Sequence, residues 1–432
     1  MSDNFRIGLA CVLGLLWCVW VMVLWIKNRP KTANASATKI VAFASQTGQA
    51  RLHAEDFIAS LSDAILLPLN QLTADKLQTA SEVHLFVSTY GDGEAPDNGR
   101  TFIRSLTKIS NNALKQVNYK VTAFGDSHYP AFCAFGKQVF TELAERGAQA
   151  IEPLICIDAS QPQTQTQHSI ANYSDVAVTQ IRQLNTGSPY AGLYLIELSA
   201  ANLSWQAGDI LEVLPPANNK QLASPRSYSI ASADSRFVEN NQLKLIVRLL
   251  TKDDGTTGLA SGYLTQSCQA GSQIKVKVRA NPACQLKSEQ APLLLIGTGS
   301  GLAGLIGHIE QRCHFADAGP VWLIYGERDA EFDCHMQTEL EAWQQQGVLT
   351  RVDRVFSRST HATDTEKAKY VYQVLTQQAE NVRCFIKQGA DVYVCGSLEG
   401  MGKSVDKALL EILGEQTKQQ LSEQERYHRD LY

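Results

Sequence analysis

Between residues 39 and 157 short apolar runs alternate with stretches of helical pattern, and no other feature of the chain narrows its fold as far. The runs cover 39–44, 83–88, 121–124 and 151–157, with helical segments such as 51–60 and 135–146 between them. Runs that are apolar throughout need cover on both faces, and connections of this length carry a chain back to a parallel neighbour. The pattern predicts a doubly wound parallel sheet with helices on each side. Ligands of such sheets bind at the loops leaving the carboxyl ends of the strands.

Those loops are explicit here. Ser45-Gln46-Thr47-Gly48-Gln49-Ala50 follows the first run and enters a helix, so hydroxyl, amide and backbone N–H groups form a phosphate cradle without a cation. The next two loops are Ser88-Thr89-Tyr90-Gly91-Asp92-Gly93-Glu94-Ala95-Pro96 and Phe124-Gly125-Asp126-Ser127-His128-Tyr129-Pro130-Ala131-Phe132-Cys133. Tyr90 and Tyr129 put an aromatic at two neighbouring strand ends, from which a planar ring can be sandwiched.

At 432 residues the chain is too long for one core, and two or three domains are expected. From about 180 to 285 the texture changes to runs at 192–198, 210–214, 226–230, 243–250 and 273–278, separated by turns. This predicts a small antiparallel barrel. It contains Arg226-Ser227-Tyr228-Ser229 and Thr257-Gly258-Leu259-Ala260-Ser261. After 289 the α/β alternation returns. Residues 293–296 lead into Gly297-Thr298-Gly299-Ser300-Gly301-Leu302-Ala303-Gly304, whose last six residues form a G-x-G-x-x-G. The next run, 321–325, ends in Gly326-Glu327-Arg328-Asp329, which suits a ribose hydroxyl through its acids and a phosphate through its arginine. Ser357-Arg358 and Lys369-Tyr370-Val371-Tyr372-Gln373 follow. A hydroxyl and two cations suit a dianionic phosphate and offer nothing to a bare ribose, which favours NADPH over NADH.

Residues 7–26 are an uncharged apolar run containing Trp17, Trp20 and Trp25. As a helix it is about 30 Å long, the thickness of a bilayer core. Lys27, Arg29 and Lys31 follow it, against Asp3 and Arg6 before it. The run predicts a single transmembrane helix at 7–26 within an anchor of residues 1–31, with everything after it facing the cytoplasm. Residues 32–38 read as a linker. The net charge of −4 gives no electrostatic case for nucleic acid, which needs a basic face, and ten cysteines without a C-x-x-C pair predict no metal site. The chain ends in Arg426-Tyr427-His428-Arg429-Asp430-Leu431-Tyr432, a terminal aromatic that gains most by covering something flat and apolar.

Taken in order, these motifs resemble those of the NADPH-dependent diflavin reductases, and Phe132-Cys133-Ala134-Phe135-Gly136-Lys137 also follows that family's pattern. The resemblance implies an α/β multi-domain protein. Residues 39–165 would form a flavodoxin-like FMN domain and 166–187 a flexible hinge. Residues 188–288 would form an FAD-binding barrel of the ferredoxin–NADP reductase type, and 289–432 an NADPH-binding α/β domain. It assigns the FMN phosphate to Ser45, Gln46, Thr47, Gly48, Gln49 and Ala50. The rest of the FMN falls to Ser88, Thr89, Tyr90, Gly91, Gly93, Gly125, Asp126, Tyr129 and Phe132. FAD falls to Arg226, Tyr228, Ser229, Gly258, Leu259, Ala260, Ser261 and Tyr432. NADPH falls to Gly297, Thr298, Gly299, Ser300, Gly301, Ser357, Arg358, Lys369, Gln373 and Asp430, with either Tyr370 or Tyr372 on the adenine ribose. Ser229, Cys395 and Asp430 would surround the hydride-transfer atoms; for Cys395 a buried core cysteine is the competing reading.

The implied activity is electron flow from NADPH to FAD to FMN and on to a separate acceptor protein, of sulfite reductase or haem-protein type. Reduction of small acceptors such as ferric chelates or quinones is one alternative, and a non-catalytic flavin-binding sensor another. Acidic Asp92, Glu94 and Asp97 suit a basic partner. Two departures stand out. Gly304 replaces the family's proline, and only eight residues separate Pro216 from Pro225, so no helical connecting domain fits there.

Overall fold

β1 (Lys39–Ala44) lies between two parallel partners, β2 (Ala64–Pro68) and β3 (Glu82–Ser88), and β3 pairs in turn with β4 (Asn118–Gly125). The outer edge of β4 takes first the short β5 (Gln149–Ala150) and then β6 (Ile155–Asp158), both parallel. This computed structural model describes residues 39–45, 48–89, 93–127, 129–158, 173–216, 225–252, 254–358 and 368–432. It divides into two units, residues 1–165 and 166–432.

Successive residues of the central strands feed opposite faces, which is why their sequence is apolar throughout. Ile40, Ala42, Leu85, Val87 and Val121 join one buried cluster with Phe135, Val139 and Leu143 of helix 134–145. Val41, Phe86 and Phe124 join another with Ala50 and Ala54 of α1 (Gln49–Ile58). The first of these helices, α2 (Ala134–Glu145), lies close to the sheet: a Cβ at Gly136 would fall 2.3 Å from that of Ala123.

The second unit begins with an antiparallel sheet. Its strands are β7 (Ser174–Gln183), β8 (Leu193–Ser199), β9 (Ile210–Leu214), β10 (Arg226–Ser229), β11 (Gln242–Arg248) and β12 (Gln273–Arg279), in the order β10-β9-β12-β7-β8-β11. A bridge between Ile230 and Leu245 joins the two ends and closes the sheet into a barrel. Val176, Val178, Ile196, Leu198, Leu211 and Leu245 fill it. A five-stranded parallel sheet follows: β13 (Leu293–Thr298), β14 (Val321–Glu327), β15 (Leu349–Phe356), β16 (Asp391–Gly396) and β17 (Tyr427–Leu431), in the order β15-β14-β13-β16-β17. Helix α3 (Leu302–Arg312) packs on it with almost every residue buried.

Three expectations change. The segment 166–187, expected as a hinge, contains β7, a ten-residue strand paired on both sides within the barrel. Its inward residues Val176, Val178 and Ile181 keep a period of two only as far as Val178, because the pairing with β8 shifts register between Val178 and Gln180, and the signal is hidden among glutamines and serines. β2 was not singled out, because its residues are only partly buried and its run ends at Pro68. Thirdly, among the described residues no helix is long and apolar enough to cross a membrane. That overturns the expected membrane location. The run 7–26 and the linker 32–38, on which it rested, lie outside the described residues, and no anchor enters the functional reading below.

Candidate functional site

In the third sheet the strand order reverses between β13 and β16, and the crevice at the carboxyl ends beside such a switch point is where α/β sheets bind ligands. The loops approach closely there: a Cβ at Gly301 would fall 2.1 Å from the Cys395 carbonyl oxygen, so no larger residue fits. A cavity of about 590 Å³ opens over these strand ends, within the range of small-molecule sites. Thr298, Gly299 and Ser300 line it from β13, Ser357 from β15, and Lys369, Tyr370 and Tyr372 from the segment beyond.

The ambiguous turn after β14 is resolved by packing. Glu327 is buried and its Oε1 accepts hydrogen bonds from Arg248 Nη2 (2.7 Å) and Tyr325 OH (2.9 Å), with His335 Nε2 at 3.2 Å. Burial pushes this carboxyl up, but His335 and Arg248 outweigh it and hold it below its usual range. Engaged in this way, Glu327 is not available to a ribose hydroxyl. Glu327, Asp333 and His335 do bring ligand-type atoms within 4.8 Å, yet the guanidinium on the same oxygen occupies the place a cation would need. Arg328 lines the cavity beside it. Main-chain hydrogen bonds from Ser357 N to Glu327 O (2.9 Å) and from Arg358 N to Arg328 O (2.7 Å) set Arg328, Ser357 and Arg358 side by side.

Tyr370 and Tyr372 stack on each other with ring centroids 5.9 Å apart, and both line the cavity. The side-chain oxygen of Gln373 accepts from the backbone N–H groups of Lys369 (2.8 Å) and Tyr370 (3.1 Å). Gln373 therefore positions its neighbours and does not itself reach into the cavity.

Behind the glycine loop, Ser229 Oγ of the barrel donates to Asp430 Oδ2 of β17 at 2.5 Å, and the Cys395 thiol of β16 reaches the same oxygen at 3.6 Å. Burial raises the Asp430 pKa above the ordinary carboxylate value, against the opposing pull of the Ser229 and Cys395 donors and of the Arg279 charge. Burial, with Asp430 beside it, pushes the Cys395 thiol well up, so it stays protonated. Cys395 is thus both a buried cysteine and a neighbour of Asp430. Gly304 packs against all three: its Cβ would lie 2.9 Å from Cys395 Sγ and 3.5 Å from Asp430 Oδ2. Tyr432 is not a frayed end. Its N–H donates to Gly396 O (3.0 Å), its carbonyl accepts from Leu398 N (3.0 Å), and its hydroxyl meets Ser300 Oγ at 2.6 Å.

On the barrel, Arg226 is exposed, and burial lifts the Tyr228 hydroxyl to about 12. Ser261 turns inward, accepting from Leu250 N (3.2 Å) and donating to Gly258 O (3.4 Å), which shapes the loop carrying exposed Leu259 and buried Ala260.

In the first unit, Asn98 accepts from Ser45 N (3.0 Å) and donates to Phe43 O (3.2 Å), fixing the start of the cradle. Ser45 Oγ is buried and has no partner among the described residues. Gly48 has φ 90°, a left-handed turn before Gln49 and Ala50 open α1. Ser88 Oγ donates to Ala44 O (3.2 Å), and Thr89 Oγ1 accepts from Phe135 N (3.2 Å), so both hydroxyls brace the fold. A Cβ at Gly125 would fall 2.7 Å from Cys133 N, and one at Gly93, where φ is 111°, would fall 3.0 Å from that of Ala131. Tyr129 is exposed on the turn that Asp126 O closes with Tyr129 N (3.2 Å), and Lys137 caps the carbonyl of Phe132 (2.8 Å). Gln46, Thr47, Tyr90, Gly91 and Asp92 lie outside the described residues.

The flavodoxin family model matches residues 41–173, and that of the oxidoreductase NAD-binding domain matches residues 295–407. The sulfite reductase [NADPH] flavoprotein alpha-component of Vibrio vulnificus (strain CMCP6) is 26% identical over 537 aligned positions, covering 92% of this chain and 86% of that protein. Its counterpart in Vibrio cholerae serotype O1 (El Tor Inaba N16961) is 25% identical over 93% of this chain and 89% of its own length. That of Photorhabdus laumondii is 34% identical, over 48% of this chain and 36% of its own. The two matched modules occur here in one chain, joined by a barrel. The chain belongs to the diflavin reductase family.

As a diflavin reductase it is an NADPH-dependent oxidoreductase with FMN, FAD and NADPH as cofactors. The first alignment is longer than the 432 residues of this diflavin reductase, so the relative carries a long stretch without a counterpart here, in keeping with the short 216–225 connection. The residues present fit the cofactors. An orphaned hydroxyl at Ser45 suits a phosphate, and the β13–β16 cavity has the size and the cations for a phosphorylated dinucleotide. Sequence reasoning missed Arg248 and Asn98, together with Ser397, Met401 and Ser404, which also line the cavity. Arg248 reaches Glu327 from a barrel strand 79 residues earlier, and no local motif announces such a pairing.

Proposed function

We propose that the chain takes electrons from NADPH at the β13–β16 crevice and passes them through FAD and FMN to a separate acceptor protein, of sulfite reductase or haem-protein type. In this reading 39–165 holds FMN, 188–288 holds FAD and 289–432 binds NADPH. Ser229, Cys395 and Asp430 carry it: a hydroxyl, a thiol and a carboxylate from three strands meet beneath a glycine loop and a terminal aromatic. When bound, the flavins supply the redox chemistry that links a two-electron donor to one-electron acceptors.

The protein's part is electrostatic and positional. Asp430 holds negative charge in a buried place, where it stabilises the positive charge that develops on a nicotinamide as hydride leaves. Ser229 fixes the carboxylate by its hydrogen bond, and Cys395, protonated, adds a second donor on the same oxygen. Ser357, Arg358 and Lys369 take the 2′-phosphate of NADPH, while the buried Ser45 hydroxyl and the Gly48 turn take the FMN phosphate. Names among the relatives support a protein acceptor, since an alpha-component of sulfite reductase implies a companion.

Tyr432 stands where a nicotinamide must enter and so acts as a gate. Tyr432→Ala loosens the preference for NADPH over NADH, read as the ratio of kcat/KM values for the two coenzymes; an equal loss with both contradicts the gate. The electron route has its own test. Protein stripped of FMN but retaining FAD keeps NADPH-driven ferricyanide reduction and loses reduction of a haem-protein acceptor. Undiminished haem reduction would remove FMN from the route and favour direct delivery.

A further inference from the structure

Tyr190 lies in the turn between β7 and β8, and the guanidinium carbons of Arg358 and Arg328 stand 4.8 Å and 5.3 Å from its ring centroid. The turn is held firmly. Buried Asn185 accepts from Leu193 N (2.7 Å) and donates to Ala191 O (3.2 Å) and to Asp333 Oδ1 (3.4 Å), while Ser188 Oγ accepts from Tyr190 N (3.2 Å) and Arg248 Nη1 donates to Ala191 O (3.2 Å). The ring therefore belongs to a rigid turn, and both arginines belong to strand ends joined by a main-chain hydrogen bond.

We propose that Tyr190 is a specificity-determining positioning residue, whose ring holds Arg328 and Arg358 together as a preformed receptor for the 2′-phosphate of NADPH. Two like charges on adjacent strand ends repel, and as long side chains they lose rotamer freedom when a ligand orders them. An aromatic face attracts both cations at once and fixes their direction before the dianion arrives. Affinity is gained by removing the ordering penalty, and only for ligands that carry the phosphate. The inference rests on the NADPH reading given above.

The test is calorimetric binding of 2′,5′-ADP and of 5′-ADP to the flavin-replete full chain. Tyr190→Ala weakens 2′,5′-ADP about three- to tenfold and leaves 5′-ADP within about twofold, whereas Tyr190→Phe binds both as the parent does. Equal weakening of the two ligands would make the ring a support for adenine and overturn the proposal, as would no change in either. Arg358→Ala separates the layers. If it weakens 2′,5′-ADP while Tyr190→Ala does not, the role of Tyr190 alone falls. If neither variant affects 2′,5′-ADP, the phosphate site is elsewhere and the NADPH reading of this pocket falls with it.

Discussion

Asp430→Asn slows flavin reduction by NADPH on the order of a hundredfold or more in stopped-flow measurements, while NADPH affinity moves by less than about twofold. The magnitude is that of removing one preorganised electrostatic group from a site where charge develops only in the transition state. Asparagine keeps the size of the side chain and an oxygen for Ser229 and Cys395, so the loss isolates the charge. A pH profile sharpens the point. The carboxylate is the useful form, and burial raises its pKa. The rate is therefore full on the alkaline side and falls as pH drops through a value above the ordinary carboxylate range. The Asn variant lacks that acid limb. An unchanged reduction rate would take Asp430 out of the mechanism.

Arg358→Ala weakens NADPH binding about ten- to a hundredfold, the worth of one charge-assisted contact to a phosphate, and leaves NADH nearly untouched. The backbone of Arg358 is tied to Arg328 O, so the strand end stays in place when the side chain goes. The partner expectation concerns Glu327. In many dinucleotide folds an acid at the end of the second strand holds the ribose hydroxyls, but here that acid is occupied by Arg248, Tyr325 and His335. Preference for the phosphorylated coenzyme thus has two physical sources, a cation cluster and the withdrawal of the competing acid. Parallel losses for NADPH and NADH in Arg358→Ala would contradict the first of them.

Much of this was legible before the structure. The five apolar runs of the barrel reappear as β8 to β12 with ends shifted by at most two residues, because each run is bounded by turns. The glycine loops announced strand ends, since Gly301 leaves no room for a Cβ and Gly48 adopts a left-handed turn. The closing heptapeptide held the most. It contains β17, and Cys395 and Asp430 are register partners across β16 and β17, which is how a residue three from the end comes to face Ser229, 201 residues earlier.

What stayed hidden depends on pairings that no local pattern encodes. β7 lay in a segment whose composition suggested a linker, and its pairing with β8 and β12 decides otherwise. Ser88, Thr89 and Gln373 have structural partners that their type and place do not announce. Each carries a polar group that the fold itself uses, for Ala44 O, Phe135 N and the amides of Lys369 and Tyr370. Arg248 and Tyr190 come from the barrel yet complete the coenzyme pocket, a contribution visible only once barrel and sheet are packed. The apolar run 7–26 was given a membrane role that the described fold does not supply.

In the proposed function this one chain carries two flavins in series behind a single NADPH site. Anaerobic titration of the purified protein with NADPH, with the released flavins identified by chromatography, tests it most directly. Equal amounts of FMN and FAD are expected, with flavin absorbance that bleaches fully at roughly two NADPH per chain, one for each two-electron cofactor. Recovery of FAD alone, or complete bleaching by roughly one NADPH, would contradict it.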